Sequence, residues 1–211
     1  MNSRSLRISA MLLFVGGLGA GVHAQEKLLK TLRMHAEQGD ADAQYRLGSM
    51  YDYGLGFVQD FQDDGEAVKW YRKAAAQNES QAQYNLGYMY YNGEALPRDY
   101  PKALEWFGKA AKQGDPGAQG SLGLMYDNGE GVPEDDAKAI KWYRKAAEQG
   151  YAEAQTNLGF MYDNGRGVPQ NNAEALKWFR KAAEQGHVPA QVLLAIRAAE
   201  PKPPQPSWET L

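Results

Sequence analysis

The chain has 211 residues, no cysteine, 23 lysines and arginines against 26 aspartates and glutamates, and a formal net charge of −3. Without cysteine no disulfide can staple the fold and no lipidated cysteine can anchor it, so stability has to come from buried apolar surface. The mildly acidic balance offers no basic face for nucleic acid or anionic lipid, and neither is expected as a partner.

The first residues read as a secretory leader. Arg4 and Arg7 precede an uncharged apolar run from Ile8 to Val22, and Val22-His23-Ala24 places a cut after Ala24. That run is shorter than the roughly 20 residues of a membrane span, and no later segment is long and apolar enough to serve as one. The expected location is the periplasm or the secreted fraction. Losing Arg4 and Arg7 with the leader takes the net charge from −3 to −5.

Beyond the leader the chain repeats itself. Trp70, Trp106, Trp142 and Trp178 stand 36 residues apart. Ala-Gln pairs recur at Ala43, Ala82, Ala118, Ala154 and Ala190, and Leu-Gly pairs follow at Leu47, Leu86, Leu122 and Leu158. Only the first step is longer, by three residues within Phe57 to Gly65, where a surface loop absorbs an insertion at little cost. The expected divisions are a capping half-repeat at 25–39, four repeats at about 40–78, 79–114, 115–150 and 151–186, a capping helix at 187–199 and a proline-rich tail at 200–211.

Each repeat predicts two helices. Ala118, Leu122, Met125 and Tyr126 lie on one face of a 3.6-residue period, as do Ala139, Trp142, Tyr143, Ala146 and Ala147 in the second segment. Glycines end both helices, Gly54, Gly93, Gly129 and Gly165 the first and Gly39, Gly114, Gly150 and Gly186 the second, with Asn78 as the one substitute. Each tryptophan is expected to be the packing knob between helices. The tail, Pro201-Lys202-Pro203-Pro204-Gln205-Pro206-Ser207-Trp208, is expected to be extended.

These residues, A-x-x-x-L-G-x-M-Y-x-x-G-x-G-V-P followed by K-A-x-K-W-Y-x-K-A-A-E-Q-G, closely resemble the Sel-1-like repeat family, relatives of the tetratricopeptide repeat, from Leu28 to about Arg197. The resemblance implies an all-α fold, a right-handed α/α superhelical solenoid of four full helix pairs with a half-repeat cap at each end. Two departures concern loops: Ala95 stands where the second turn glycine of repeat two is expected, and Phe57-Val58 replaces Val-Pro in repeat one.

Signs of chemistry are scarce. The mature chain has two histidines, His35 and His187, and neither a zinc motif nor a phosphate-binding loop occurs, so no metal or cofactor is expected. Asp127-Asn128-Gly129 and Asp163-Asn164-Gly165 lack the spacing of a calcium loop and read as helix ends. Cysteine-rich relatives linked to β-lactams raise an enzyme reading, but Ser-x-x-Lys, Ser-Asp-Asn and Lys-Thr-Gly are missing, and no catalytic residue is assigned.

Comparing the repeats with one another separates a constant face of the first helix from a varying one. The varying positions are those of Tyr45, Arg46, Ser49, Asp52 and Tyr53, which share a helical face. Their counterparts are Tyr84, Asn85, Tyr88, Tyr91 and Asn92 in repeat two, Gly120, Ser121, Leu124, Asp127 and Asn128 in repeat three, and Thr156, Asn157, Phe160, Asp163 and Asn164 in repeat four. The resemblance implies that first helices line a concave wall. The candidate partner-binding residues are therefore Tyr45, Arg46, Ser49, Tyr53, Tyr84, Asn85, Tyr88, Tyr91, Leu124, Asn157 and Phe160. Tyrosine suits anchoring of a protein or peptide, and tyrosine with asparagine also suits a glycan. The same rings could instead pack on first helices of neighbouring repeats, a reading the sequence leaves open.

Overall fold

The computed structural model describes residues 22–54 and 63–199; the leader before Val22, the first-repeat turn with Phe57-Val58, and the tail with Trp208 lie outside the described residues. Among the described residues there are ten helices and no strand. They are α1 (Val22–Glu37), α2 (Ala41–Tyr53), α3 (Asp64–Ala76), α4 (Ser80–Asn92), α5 (Tyr100–Lys112), α6 (Pro116–Asn128), α7 (Asp136–Glu148), α8 (Ala152–Asn164), α9 (Asn172–Glu184) and α10 (Val188–Ala199). Even-numbered helices are the first helices of the repeats, and odd-numbered helices the second.

Helix boundaries follow from short-range chemistry. Asp40, Asp63, Asp99, Asp135 and Asn171 accept hydrogen bonds from amides of the first turn, satisfying donors the helix itself leaves orphaned. At the far end of the second helices, the residue beyond the left-handed turn donates its N–H back into the helix, as Glu79 does to the Ala74 carbonyl and Asp115 to that of Ala110. Ala95 has a φ of 62°, the left-handed conformation that Gly131 and Gly167 supply in the other repeats. An L-residue there carries a steric cost of about 1 to 2 kcal/mol.

The chain divides into two compact units, one ending at Ala118 and one beginning at Gln119. In the first unit Tyr71 and Phe107 are buried to within 1% of full exclusion; in the second the same holds for Tyr143 and Phe179. Each ring packs directly against the glycine of its own repeat's Leu-Gly pair. A Cβ added at Gly48 would meet Tyr71 at 2.8 Å, and one at Gly87 would meet Phe107 at 2.6 Å; the corresponding distances are 2.5 Å for Gly123 against Tyr143 and for Gly159 against Phe179. Glycine is required here for close approach, not for backbone freedom.

The tryptophans are correspondingly less central than expected. Trp70 and Trp178 are buried, but Trp106 and Trp142 are only half-buried, and the residue that follows each tryptophan is the deeper knob. Each indole is covered on its outer side by a lysine three residues on, with Lys73, Lys109, Lys145 and Lys181 ammonium groups 3.9 to 4.6 Å from the ring centroids.

Invariant glutamines join successive helices. Gln44 and Gln83 in the first unit, and Gln155 in the second, donate from Nε2 to the carbonyls of Ala36, Ala75 and Ala147 on the preceding second helix. Their Oε1 atoms accept from the glutamine that ends the following second helix, Gln77, Gln113 and Gln185, at 2.8 to 2.9 Å. Burial of these amides is tolerated because both ends are satisfied.

Two substitutions test the packing account by chemical or thermal denaturation. Gly159→Ala forces a methyl into the Phe179 ring; overpacking of about 1 to 3 kcal/mol should outweigh the roughly 1 kcal/mol gained in helix propensity and lower stability. Gly108→Ala, on α5 with nothing within 4 Å of the added carbon, should raise it by about 0.5 to 1 kcal/mol. At the strained turn, Ala95→Gly should also stabilise, by about 0.5 to 1 kcal/mol, since relief of the left-handed strain exceeds the added chain entropy.

Candidate functional site

The varying stripe of the first helices turns out to face the second-helix ring of its own repeat. In the first unit Tyr45 stacks on Tyr71 with centroids 6.0 Å apart, and the Tyr71 hydroxyl lies 3.1 Å from both Ser49 Oγ and Asp52 Oδ2. Burial, and then the nearby Asp52 carboxylate, hold the Tyr71 hydroxyl well above its ordinary pKa, so it stays a proton donor. In repeat two the ring is Phe107, without a hydroxyl, and its neighbours are Tyr84 at 5.8 Å and Tyr91 at 6.3 Å. The hydroxyl of the tyrosine brings polar partners in addition to an aromatic one, whereas the phenylalanine has aromatic neighbours.

This placement corrects part of the expected surface. Ser49 is fully excluded from solvent and Asn85 is 6% exposed, so neither can meet a partner. Tyr45, Tyr53, Tyr84, Tyr88 and Tyr91 are half-buried; Tyr45, Tyr84 and Tyr91 pack on second-helix rings, Tyr84 also lies against the next first helix, 3.1 Å from where a Cβ on Gly117 would be, and Tyr88 lies 6.3 Å from Tyr84. Arg46 is exposed and paired with Asp42 at 2.7 Å.

In the second unit the stripe is more open. Leu124, Asn157 and Phe160 converge on one pocket of about 340 Å³, whose wall is completed by Tyr151, His187 and Pro189. Phe160 packs edge-on against Phe179 at 5.3 Å yet stays 38% exposed. Gly120 stands where repeats one and two carry Tyr45 and Tyr84, and the Tyr151 ring takes the vacated space, 2.9 Å from where a Cβ on Gly120 would be. His187 Nδ1 lies 2.9 Å from Thr156 Oγ1, whose hydroxyl also reaches the Ala152 carbonyl at 3.0 Å.

Tyr151 and His187 were not among the expected residues, although the sequence carries a signal for them. Immediately before the first helices stand Asp40, Glu79, Asp115, Tyr151 and His187. Asp40 and Glu79 cap their helices and the Asp115 carboxylate accepts from Ala118 N–H, whereas Tyr151 makes no capping hydrogen bond. Loss of such a cap costs about 1 kcal/mol, and a local rule broken this way is typical of a position used for something else.

The stripe's acids are occupied internally. In the second unit Asp127 meets the Tyr143 hydroxyl at 3.2 Å and Arg166 at 2.7 Å, and Asp163 is paired with Arg197. Arg166 also holds Glu134 and Asp136, tying the turn of repeat four to repeat three.

With this repeat geometry in view, the comparison with known proteins is direct: the Sel1 repeat matches residues 41–79, 80–115, 116–151 and 152–187. The chain belongs to the Sel1 repeat family. Its fold class is the all-α helix-pair solenoid of that family, whose members are generally protein-interaction scaffolds. A protective antigen of uropathogenic Escherichia coli, c5321, with an SLR fold, is 43% identical, with a TM-score of 0.74 over 80% of this chain and 35% of its own. A Sel1 repeat protein from Oxalobacter formigenes is 37% identical, with a TM-score of 0.69 over 75% of this chain and 63% of its own. The immunity protein Pa5087 of Pseudomonas aeruginosa is 26% identical, with a TM-score of 0.55 over 84% and 65%. The present chain thus spans about a third of the first relative and under two thirds of the second. No curated protein matches it. Among the described residues no helix is long and apolar enough to cross a membrane.

Because Tyr84 and Tyr91 cover Phe107, replacing Tyr84, Tyr88 and Tyr91 together by serine should lower the melting temperature by several degrees, read by circular dichroism, whatever its effect on binding.

Proposed function

We propose that this chain is a non-catalytic adaptor that binds a protein or peptide segment through the pocket of its second unit. The observation that carries the reading is Tyr151, an aromatic side chain in a capping position that leaves its helix uncapped and instead walls a pocket with Leu124, Phe160 and Pro189. A mostly apolar concavity with a few polar groups, here Ser121, Glu153, Asn157 and the Thr156–His187 pair, is the ordinary form of a recognition site. Its volume suits one or two side chains of a bound segment. Membership of a family of interaction scaffolds supports the same conclusion, and the leader read at residues 1–24 supports a periplasmic or secreted setting.

The experiment is a crosslinking recovery of partners by the mature chain from the envelope fraction, set against Tyr151→Asp and Asn157→Arg. Tyr151→Asp removes the ring while restoring the cap, so about 1 kcal/mol gained at the helix start offsets part of the packing lost with the half-buried ring. Asn157→Arg fills the pocket from a half-buried wall position. A single protein recovered by the parent and lost with both variants, each folded by circular dichroism, is the expected result. Recovery unaffected by either variant overturns the pocket as the binding site, and saturation by wall oligosaccharides but not peptides would replace a protein partner by a glycan.

A further inference from the structure

The two outermost described helices are halves of a repeat. α10 is a first helix in sequence and in contact: Ala190 is fully buried like Ala43, and Gln191 Nε2 donates to the Ala183 carbonyl as Gln44 does to that of Ala36. In every full repeat a first helix receives a second helix, whose ring seats on the Leu-Gly pair. On α10 the corresponding positions are Leu194 and Ala195, and the flanking Val192 and Ile196 stand where Tyr45 and Ser49 touch Tyr71. Val192 and Ile196 are 51% and 56% exposed. The residues after Glu200 are Pro201-Lys202-Pro203-Pro204, which do not carry the second-helix pattern.

α1 is the converse. It ends in the second-helix turn, with Asp40 N–H donating to the His35 carbonyl, and Ala36 is buried as Ala75 is. Leu28 stands where Ala67 is fully buried in a complete repeat, but is itself 70% exposed, and Gln38 stands where Gln77 donates to Gln44. The two halves also match in size at the ring position. Ala195 replaces the glycine on which an aromatic ring would seat, and a Cβ there would leave a ring no room, as the 2.5 to 2.8 Å distances in the full repeats show. On α1 the ring position is taken by Leu32, which has no flat ring to seat.

We infer that the α10 face of one molecule receives α1 of a second copy, so that Leu28 and Leu32 cover Val192, Ala195 and Ile196, and Gln38 donates to Gln191 as the repeat pattern continues. The contact joins two different surfaces, so it propagates head to tail, as an open chain or a closed ring, and does not form an isologous two-fold dimer. It is independent of the pocket in the second unit and of that pocket's partner.

Sedimentation velocity of the mature chain across micromolar to millimolar concentration tests this, with Leu28→Glu, Ile196→Glu and a chain truncated after Glu200 alongside. Both substitutions lie at exposed positions, and circular dichroism confirms that each remains folded. The parent should pass from monomer to species larger than a dimer as concentration rises. Each variant alone should stay monomeric, and an equimolar mixture of the two should form a one-to-one dimer and nothing longer, since each retains the face the other lacks. A parent that stays monomeric throughout, self-association that survives in either variant, or a mixture that fails to pair overturns the inference. Association seen only in the truncated chain also overturns it, because the tail and not a second copy would then cover α10.

Discussion

The contact on which the rest of the structure depends is an aromatic ring laid on a helix backbone. Two helices of ordinary girth pack with their axes 8 to 10 Å apart, and a bulky ring between them needs a site without a side chain. Gly48, Gly87, Gly123 and Gly159 provide that site, and Tyr71, Phe107, Tyr143 and Phe179 fill it. The small alanines at the second-helix positions of Ala67, Ala103, Ala139 and Ala175, all fully buried, are the same constraint seen from the other helix. A larger residue on the first helix against an unchanged ring, or a missing ring against an unchanged glycine, does not leave the pair at its present spacing.

The ring also dictates what can vary around it. A buried tyrosine hydroxyl needs a partner, and Ser49 with Asp52, or Asp127, supplies one; a phenylalanine needs none and accepts Tyr84, Tyr91 or Phe160 as neighbours. In repeat four, Asp163 faces a ring without a hydroxyl, and Arg197 takes the role of its partner while lying over the Phe179 ring. Much of the variation along the stripe is therefore complementarity within one repeat or, as for Tyr84 against Gly117, with the next, and only the remainder is open to a partner.

That distinction explains which parts of the molecule were legible in the sequence. The period, the helix pairs and their glycine ends follow from patterns along one chain, and the left-handed Asn78 and Ala95 fall where a glycine was expected. A 3.6-residue period shows which residues share a face but not which neighbour the face meets, and a first helix has several neighbours. Ser49 and Asn85 were hidden for that reason, and Trp142 was credited with the burial that belongs to Tyr143. The pocket was half legible: Leu124, Asn157 and Phe160 came from the stripe, while Tyr151 and His187 sit at capping positions, where the informative comparison was with Asp40, Glu79 and Asp115.

Capping positions are a natural place for a repeat protein to acquire a site. They lie at the mouths of the first helices, and changing one costs about 1 kcal/mol, far less than disturbing a ring or its glycine. They also recur once per repeat, so rings placed at two successive caps, as with Tyr151 and His187, line one pocket. Gly120 completes the arrangement, because a tyrosine there, as in repeats one and two, would occupy the space that the Tyr151 ring now takes. Two departures from the repeat pattern, one large residue gained at a cap and one lost from the stripe, open a cavity without altering the contact that holds the helices together.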